Sequence, residues 1–125
     1  MGLISKLFDT ASEVNSETLL DKYKILLIEE ENIELGFQLF RDVYLFTNKR
    51  LLLIDVQGVT GSKTEYLSLP YRFMTRFSVE SAGLLDIDAE LKIWISSENE
   101  PTISKKFNKN IDVYKVQRYL ASKIL

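Results

Sequence analysis

The chain has 125 residues, 46% of them hydrophobic and 27% charged, which is typical of one globular domain with a sizeable core. It contains no cysteine and no histidine, which excludes a disulfide framework, Cys-His and Ser-His-Asp nucleophile systems, and the usual zinc sites. The formal net charge of −2 argues against nucleic-acid binding, which favours a basic surface.

Two helical patterns open the chain, and we assign residues 1–28 to a helical extension that precedes a domain at residues 29–125. In the first, apolar residues at helical spacing form one face: Leu3, Ile4, Leu7, Phe8 and Ala11. Its polar face holds Lys6 and Asp9 between serines and is not the basic face that anionic lipid attracts, so packing on the domain or on a neighbouring subunit is favoured over membrane binding. The second pattern begins near Ser16, a suitable N-cap, and its apolar face includes Leu19, Leu20 and Tyr23.

From Ile33 onward the hydrophobic period changes to two, which predicts strands. Seven strands are expected, within residues 33–40, 43–46, 51–54, 63–69, 75–80, 86–95 and 102–107. The second and third flank Thr47-Asn48-Lys49-Arg50, where Asn48 suits the left-handed backbone of a tight hairpin turn. In the fourth strand, Leu67 and Leu69 are expected to point inward. A final helix is predicted over Ile111–Leu125, with Asn110 as its N-cap.

Two motifs resemble ligand-binding loops, but each lacks residues that binding requires. The two-glycine loop Gly58–Ser62 lacks the Gly-Lys-Ser/Thr ending of a phosphate-binding P-loop. The acidic run Asp86, Asp88, Glu90 lacks the glycine and the final glutamate of a calcium-binding EF-hand. Strand alternation accounts for the acidic run without a metal. We therefore expect no catalytic residue, no metal and no cofactor.

Several segments resemble the bacterial pleckstrin-homology-like family. They are Phe46–Leu51, Asp55–Gly61, Glu65–Tyr71, Phe77–Gly83 and Asp88–Trp94. The resemblance implies a mainly β (α+β) fold: a seven-stranded bent antiparallel sheet or partly open barrel, capped by a C-terminal helix and preceded by short N-terminal helices. It also implies a stand-alone domain that assembles into cyclic, pentameric rings, with a polar surface where strands of adjacent protomers meet.

The predicted function is therefore a non-enzymatic interaction or scaffold domain that forms a homo-oligomeric ring and presents a polar surface to a protein partner. The alternative is a peripheral membrane or phosphoinositide-binding module. Lipid-binding relatives of this fold use clustered basic residues at the open rim, whereas the corresponding loops here offer Arg41 and Lys63 against Asp42, Asp55, Glu98 and Glu100. This balance makes a membrane lipid an unfavourable ligand.

Polar groups near the central hairpin are expected to face outward, and the family resemblance implies that some of them contact the partner: Thr47, Asn48, Lys49, Lys63, Glu65, Arg72 and Glu80. Trp94 and Phe40 are large aromatics on otherwise polar strand faces, so something is expected to cover them. The cover is the chain's own N-terminal helices, a neighbouring subunit or a different protein. We predict a neighbouring subunit, because the resemblance implies rings in which strands of adjacent protomers meet. With no signal peptide or apolar run of membrane length, and no cysteine, the cytoplasm is the expected compartment.

Overall fold

The computed structural model describes residues 12–13, 16–38, 41–80, 89–107 and 111–125. Within these residues the chain forms eight strands, two α-helices and two 3₁₀ turns. The strands are β1 (Ser12–Glu13), β2 (Ile33–Gln38), β3 (Val43–Thr47), β4 (Arg50–Gln57), β5 (Lys63–Pro70), β6 (Met74–Glu80), β7 (Ala89–Ile95) and β8 (Ile103–Phe107). The helices are α1 (Ser16–Tyr23) and α2 (Val113–Ile124), and the 3₁₀ turns are Lys24–Leu26 and Tyr71–Phe73.

The strands make two antiparallel sheets that do not close into a barrel. The first has the order β1-β2-β3-β4-β5, and the second has the order β6-β7-β8. The 3₁₀ turn Tyr71–Phe73 carries the chain from β5 into β6, so these consecutive strands lie in different sheets. Seven main strands, a C-terminal helix and a short N-terminal helix confirm the predicted fold class.

The main core lies between the two sheets and beneath α2. Phe37 stacks on Phe107 with ring centroids 4.8 Å apart and meets Phe46 edge-on at 6.0 Å. Alternate residues of β7 are buried, as the period of two predicts. α2 adds an apolar stripe that includes Val116 and Leu120, both fully buried.

A second cluster covers the outer face of the first sheet. Leu19 of α1 packs against Val43, Leu45, Leu52 and Ile54, so β3 and β4 are buried on both faces. Burial on both faces explains why these two strands are continuous apolar runs.

Two local predictions are wrong, and a third holds only in part. Asn48 does not adopt the left-handed backbone; among the described non-glycine residues, only Glu30 and Ser96 have positive φ values. Leu67 points inward beside Leu53, as predicted, but it is 38% exposed because the gap between the two sheets is open there. Asp112, rather than Asn110, caps α2, accepting hydrogen bonds from the backbone N–H groups of Tyr114 and Lys115. The predicted helix over Leu3–Ala11 and the position of Phe40 lie outside the described residues.

Candidate interaction surface

Thr47 is a structural residue and not a surface contact, which contradicts its predicted outward orientation. Its side chain is completely buried at the end of β3. The hydroxyl group donates to Glu31 Oε2 at 2.6 Å and accepts from the backbone N–H groups of Lys49 and Arg50, each at 3.0 Å. Thr47 therefore closes the hairpin turn from within, and no face of it is left for a partner.

Asn48 is half-buried, and its amide joins two turns of the same chain. Its Oδ1 accepts from the backbone N–H of Asn32 at 2.7 Å, and its Nδ2 donates to the carbonyl oxygen of Glu30 at 3.0 Å. These two hydrogen bonds hold the turn before β2 against the β3–β4 hairpin. Its predicted partner-binding role therefore competes with an intramolecular one.

An ion pair that the sequence did not reveal lies where the turn before β2 meets the β3–β4 hairpin. The carboxylate of Glu31 is fully buried and receives the guanidinium of Arg50. Burial alone would raise the pKa of Glu31, but hydrogen bonds from Arg50, Thr47 and the backbone N–H of Ile28 outweigh it and hold the pKa below its usual value. In the sequence, Glu31 ends an acidic triplet typical of an exposed turn. The available signal was Arg50, a charged residue directly before the apolar run that forms β4.

The five other predicted contact residues are exposed, but they do not form one patch. Lys49 and Arg72 lie near one end of the β4–β5 ladder, where Arg50 pairs with Pro70. Lys63 lies at the other end, opposite Gln57, and Glu65 follows two residues later. At about 3.3 Å per residue, the seven steps along β5 separate these ends by roughly 23 Å. Glu80 lies at the end of β6 in the other sheet, opposite Glu90.

β5 is the most exposed strand near these residues. Its one strand neighbour among the described residues is β4, and six of its eight residues are exposed or half-buried before the buried Leu69. Tyr66 is 53% exposed and Leu67 38% exposed, and they point to opposite faces because successive side chains alternate. A long edge strand with apolar side chains is a template for pairing with another chain.

Trp94 lies on the outer face of β7, as predicted, between the buried positions of that strand. A contact within the chain covers part of its ring: the Arg76 guanidinium lies 4.5 Å from the ring centroid. The indole Nε1 donates to the carbonyl oxygen of Asn99 at 3.1 Å. This cover from the neighbouring strand β6 is one that the sequence pattern did not suggest.

No helix among the described residues is long and apolar enough to cross a membrane.

The chain matches a family model described as the bacterial PH domain over residues 2–124. The protein YjqA of Bacillus subtilis, itself described as uncharacterised, is 46% identical over 122 residues, which cover 98% of each chain. A second uncharacterised protein of the same organism, YozO, is 33% identical and matches 86% of this chain and 90% of its own.

Two solved structures share both the fold and much of the sequence. A DUF1696-family protein with a pleckstrin-homology domain from Shewanella loihica superimposes with a TM-score of 0.82 at 44% identity, covering 93% of this chain and 98% of its own. A pleckstrin homology domain from Shewanella amazonensis gives a TM-score of 0.72 at 42% identity and covers 98% of both chains.

Proposed function

The chain belongs to the bacterial PH-domain family, and from this premise we propose that it is a non-enzymatic interaction domain that assembles into a cyclic homo-oligomer and presents a polar surface to a protein partner. The expected ring is a pentamer. The cytoplasm is the proposed compartment, because the chain has no cysteine.

The observation that supports assembly most strongly is the edge of β5 that no other described strand pairs with. Natural proteins protect such edges with short strands, bulges, charged residues, proline or covering segments. β5 carries Lys63, Glu65 and Pro70, but it runs for eight residues in unbroken register with β4, its one strand partner in the described part of the chain. Tyr66 adds an exposed aromatic ring, a residue type that is enriched at protein interfaces. A contact between the β5 edge of one protomer and a different surface of the next is heterologous, and such contacts close into rings when the rotation permits.

The proposed partner surface consists of the exposed polar residues at the two ends of β5. Lys63 and Glu65 lie at its start, Lys49 and Arg72 near its end, and Glu80 on the other sheet. If β5 edges lie at the contacts between protomers, these residues recur around the ring beside each contact. A partner that spans a contact would meet charges from both protomers.

The charge at the open end of the two sheets disfavours phosphoinositide binding. Asp42, Asp55 and Glu65 line the gap between the sheets there, with Lys105 as the basic residue of the same wall. Arg41 is already engaged, because its guanidinium donates to the carbonyl oxygens of Val56 and Gly58. A polyphosphate headgroup would meet more negative than positive charge.

The test of assembly is a pair of tyrosine substitutions, measured by light scattering on size-exclusion peaks. Tyr66→Lys places a charge on the edge strand and should dissociate the oligomer. Tyr114→Lys is the matched control, because Tyr114 is a 63% exposed tyrosine that lies on α2 and not on β5. Equal oligomer mass in the two folded variants would exclude β5 as the interface.

Trp94→Ser tests the second proposed interface residue. We expect it to weaken assembly while circular dichroism shows an unchanged fold. A folded variant that assembles fully would exclude Trp94 from the interface and leave the role of β5 open.

The partner surface is tested by separate substitutions, since Lys49 and Lys63 lie far apart. Proteins that co-purify with the wild type are identified by mass spectrometry, and recovery is compared for Lys49→Glu and Lys63→Glu. We expect one of the two to lose the partner without a change in thermal stability. Unchanged recovery with both would remove these lysines from the partner surface.

A further inference from the structure

The open end of the two sheets contains a cavity of about 410 Å³. Its floor is apolar: Tyr44, Leu53 and Leu67 lie side by side across β3, β4 and β5, and Ile103 faces them from β8. Small-molecule sites are concave, mostly apolar and about 300–1,000 Å³ in volume, with a few polar groups that orient the ligand. The cavity has this size, and half of its lining residues are apolar and half are polar.

The polar groups of the cavity are dominated by carboxylates. Asp55 and Glu65 are directly opposed in the β4–β5 ladder, and Asp42 lies beside Asp55. Burial, together with the neighbouring Asp55, raises the pKa of Asp42, although Lys105 and a hydrogen bond from the Val56 N–H oppose this rise. Three carboxyl groups therefore share the lining with one ammonium group.

These carboxylates are only partly satisfied by the chain itself. Asp42 Oδ1 accepts from the backbone N–H of Val56 at 3.0 Å, and Asp55 Oδ2 accepts from Gln57 Nε2 at 2.9 Å. Among the described residues, no hydrogen bond or ion pair to the exposed carboxylate of Glu65 is found. A cation bound between Asp55 and Glu65 would relieve the repulsion between two like charges directly opposed across the strands.

We propose that this cavity binds an organic cation, an alkylammonium group whose carbon chain lies on the apolar floor and whose charge lies between Asp55 and Glu65. The floor favours an organic ligand over a bare ion, and no group of three acidic residues in the described ranges is arranged to hold a metal. The cavity is formed within one chain, so the inference does not depend on ring assembly.

The same chemistry has two sources: a free amine, or the side chain of a lysine in a peptide. Pentylamine represents the first, and N-acetyl-lysine methylamide the second. The isosteric anion pentanoate is the control for apolar binding alone. Binding is followed by amide chemical shifts in two-dimensional NMR spectra of the full-length protein, since shifts confined to residues such as Leu67 and Ser104 locate the ligand.

We expect at least one of the two amines to shift these resonances, with a dissociation constant of about 1 mM, a typical value for so small a ligand. Pentanoate should leave them unchanged. Which amine binds more tightly distinguishes the free small molecule from the peptide side chain. Absence of shifts with both amines, or equal shifts with pentanoate, would overturn the proposal.

Variants test the assigned charges. Asp55→Asn combined with Glu65→Gln should weaken amine binding about tenfold or more. Glu100→Gln, an exposed carboxylate on the β7–β8 turn outside the cavity lining, should not change it. Lys105→Met removes the competing cation and should strengthen binding, a readout that remains if the double variant folds poorly. Undiminished binding by a folded double variant, or weaker binding by Lys105→Met, would contradict the assignment.

Discussion

Arg50 and Glu31 form a two-point ion pair that joins the start of β4 to the turn before β2. Arg50 Nε lies 2.9 Å from Glu31 Oε2, and Arg50 Nη2 lies 3.1 Å from Oε1. Nη2 also donates to the carbonyl oxygen of Leu26 at 2.8 Å, so the same guanidinium binds the segment that follows α1. One side chain therefore fixes the N-terminal helical segment, the turn and the hairpin relative to one another.

The two partners should respond unequally to substitution. Arg50→Met leaves the fully buried carboxylate of Glu31 without its cation and should lower the free energy of unfolding by about 3 kcal/mol. Glu31→Gln leaves Arg50, which keeps some contact with solvent, and should cost about 1.5 kcal/mol. Urea unfolding measures both. An equal or reversed order would contradict the assignment of Glu31 as the buried member of the pair.

Acid should remove the contribution of Glu31. Its pKa in the folded protein lies below the ordinary value of 4.5, so its stabilising effect is present above about pH 4.5 and is lost as the pH falls through the folded-state pKa. The difference in unfolding free energy between wild type and Glu31→Gln should therefore shrink on acidification. Glu34, whose pKa is also lowered, is present in both proteins, so its contribution to the pH dependence cancels in this difference. A difference that stays constant down to about pH 3 would show that the carboxylate charge is not involved.

Gly36→Ala should displace the Leu19 side chain of α1. A Cβ atom at position 36 would collide with Leu19 Cδ1, and Leu19 is only 4% exposed, so its side chain must move within the core. Overpacking of this kind costs about 1–3 kcal/mol. In the double variant with Leu19→Ala, the additional cost of Gly36→Ala should disappear. Fully additive effects in this cycle would mean that the two residues do not collide.

Tyr119 should make the protein sensitive to alkali. Its hydroxyl lies 2.6 Å from Glu34 Oε1 and 2.9 Å from the carbonyl oxygen of Thr47. Burial, with these neighbours and Tyr71, raises the pKa of Tyr119 above its ordinary value. A raised folded-state pKa stabilises the fold below the unfolded-state pKa of about 10, and this contribution is lost as the pH rises.

Tyr119→Phe should therefore lose about 1 kcal/mol at neutral pH but show a weaker further loss above about pH 10 than the wild type. Tyr114→Phe is the matched control, because Tyr114 is exposed on the same helix. Identical alkaline unfolding of Tyr119→Phe and the wild type would show that Tyr119 is not the group responsible.

Much of the fold was predictable because strands such as β7 bury alternate residues, while β3 and β4 are recognisable as continuous apolar runs. The period of two in β7 placed Leu91 and Ile93 in the core and Trp94 outside it, as the structure shows. Resemblance of several short segments to a family then supplied the architecture. Leu67 points inward but is exposed, because the two sheets have already separated at its position. This exposure depends on how the two sheets are arranged and could not be read from the strand sequence.

The polar residues could not be placed by pattern, because their environment is set by contacts distant in sequence. Thr47 and Glu31 are 16 residues apart, and nothing local distinguishes them from exposed turn residues. The stacking of Arg76 on Trp94 likewise requires the register of β6 against β7, which includes an irregularity between Met74 and Arg76.

The mass of the wild-type protein in solution tests the central claim most directly. The chain has a mass of 14.5 kDa, and light scattering across the size-exclusion peak at micromolar concentration should give about five times that value. A concentration-independent peak with the mass of a ring would support cyclic assembly. A single peak at the mass of one chain would contradict it.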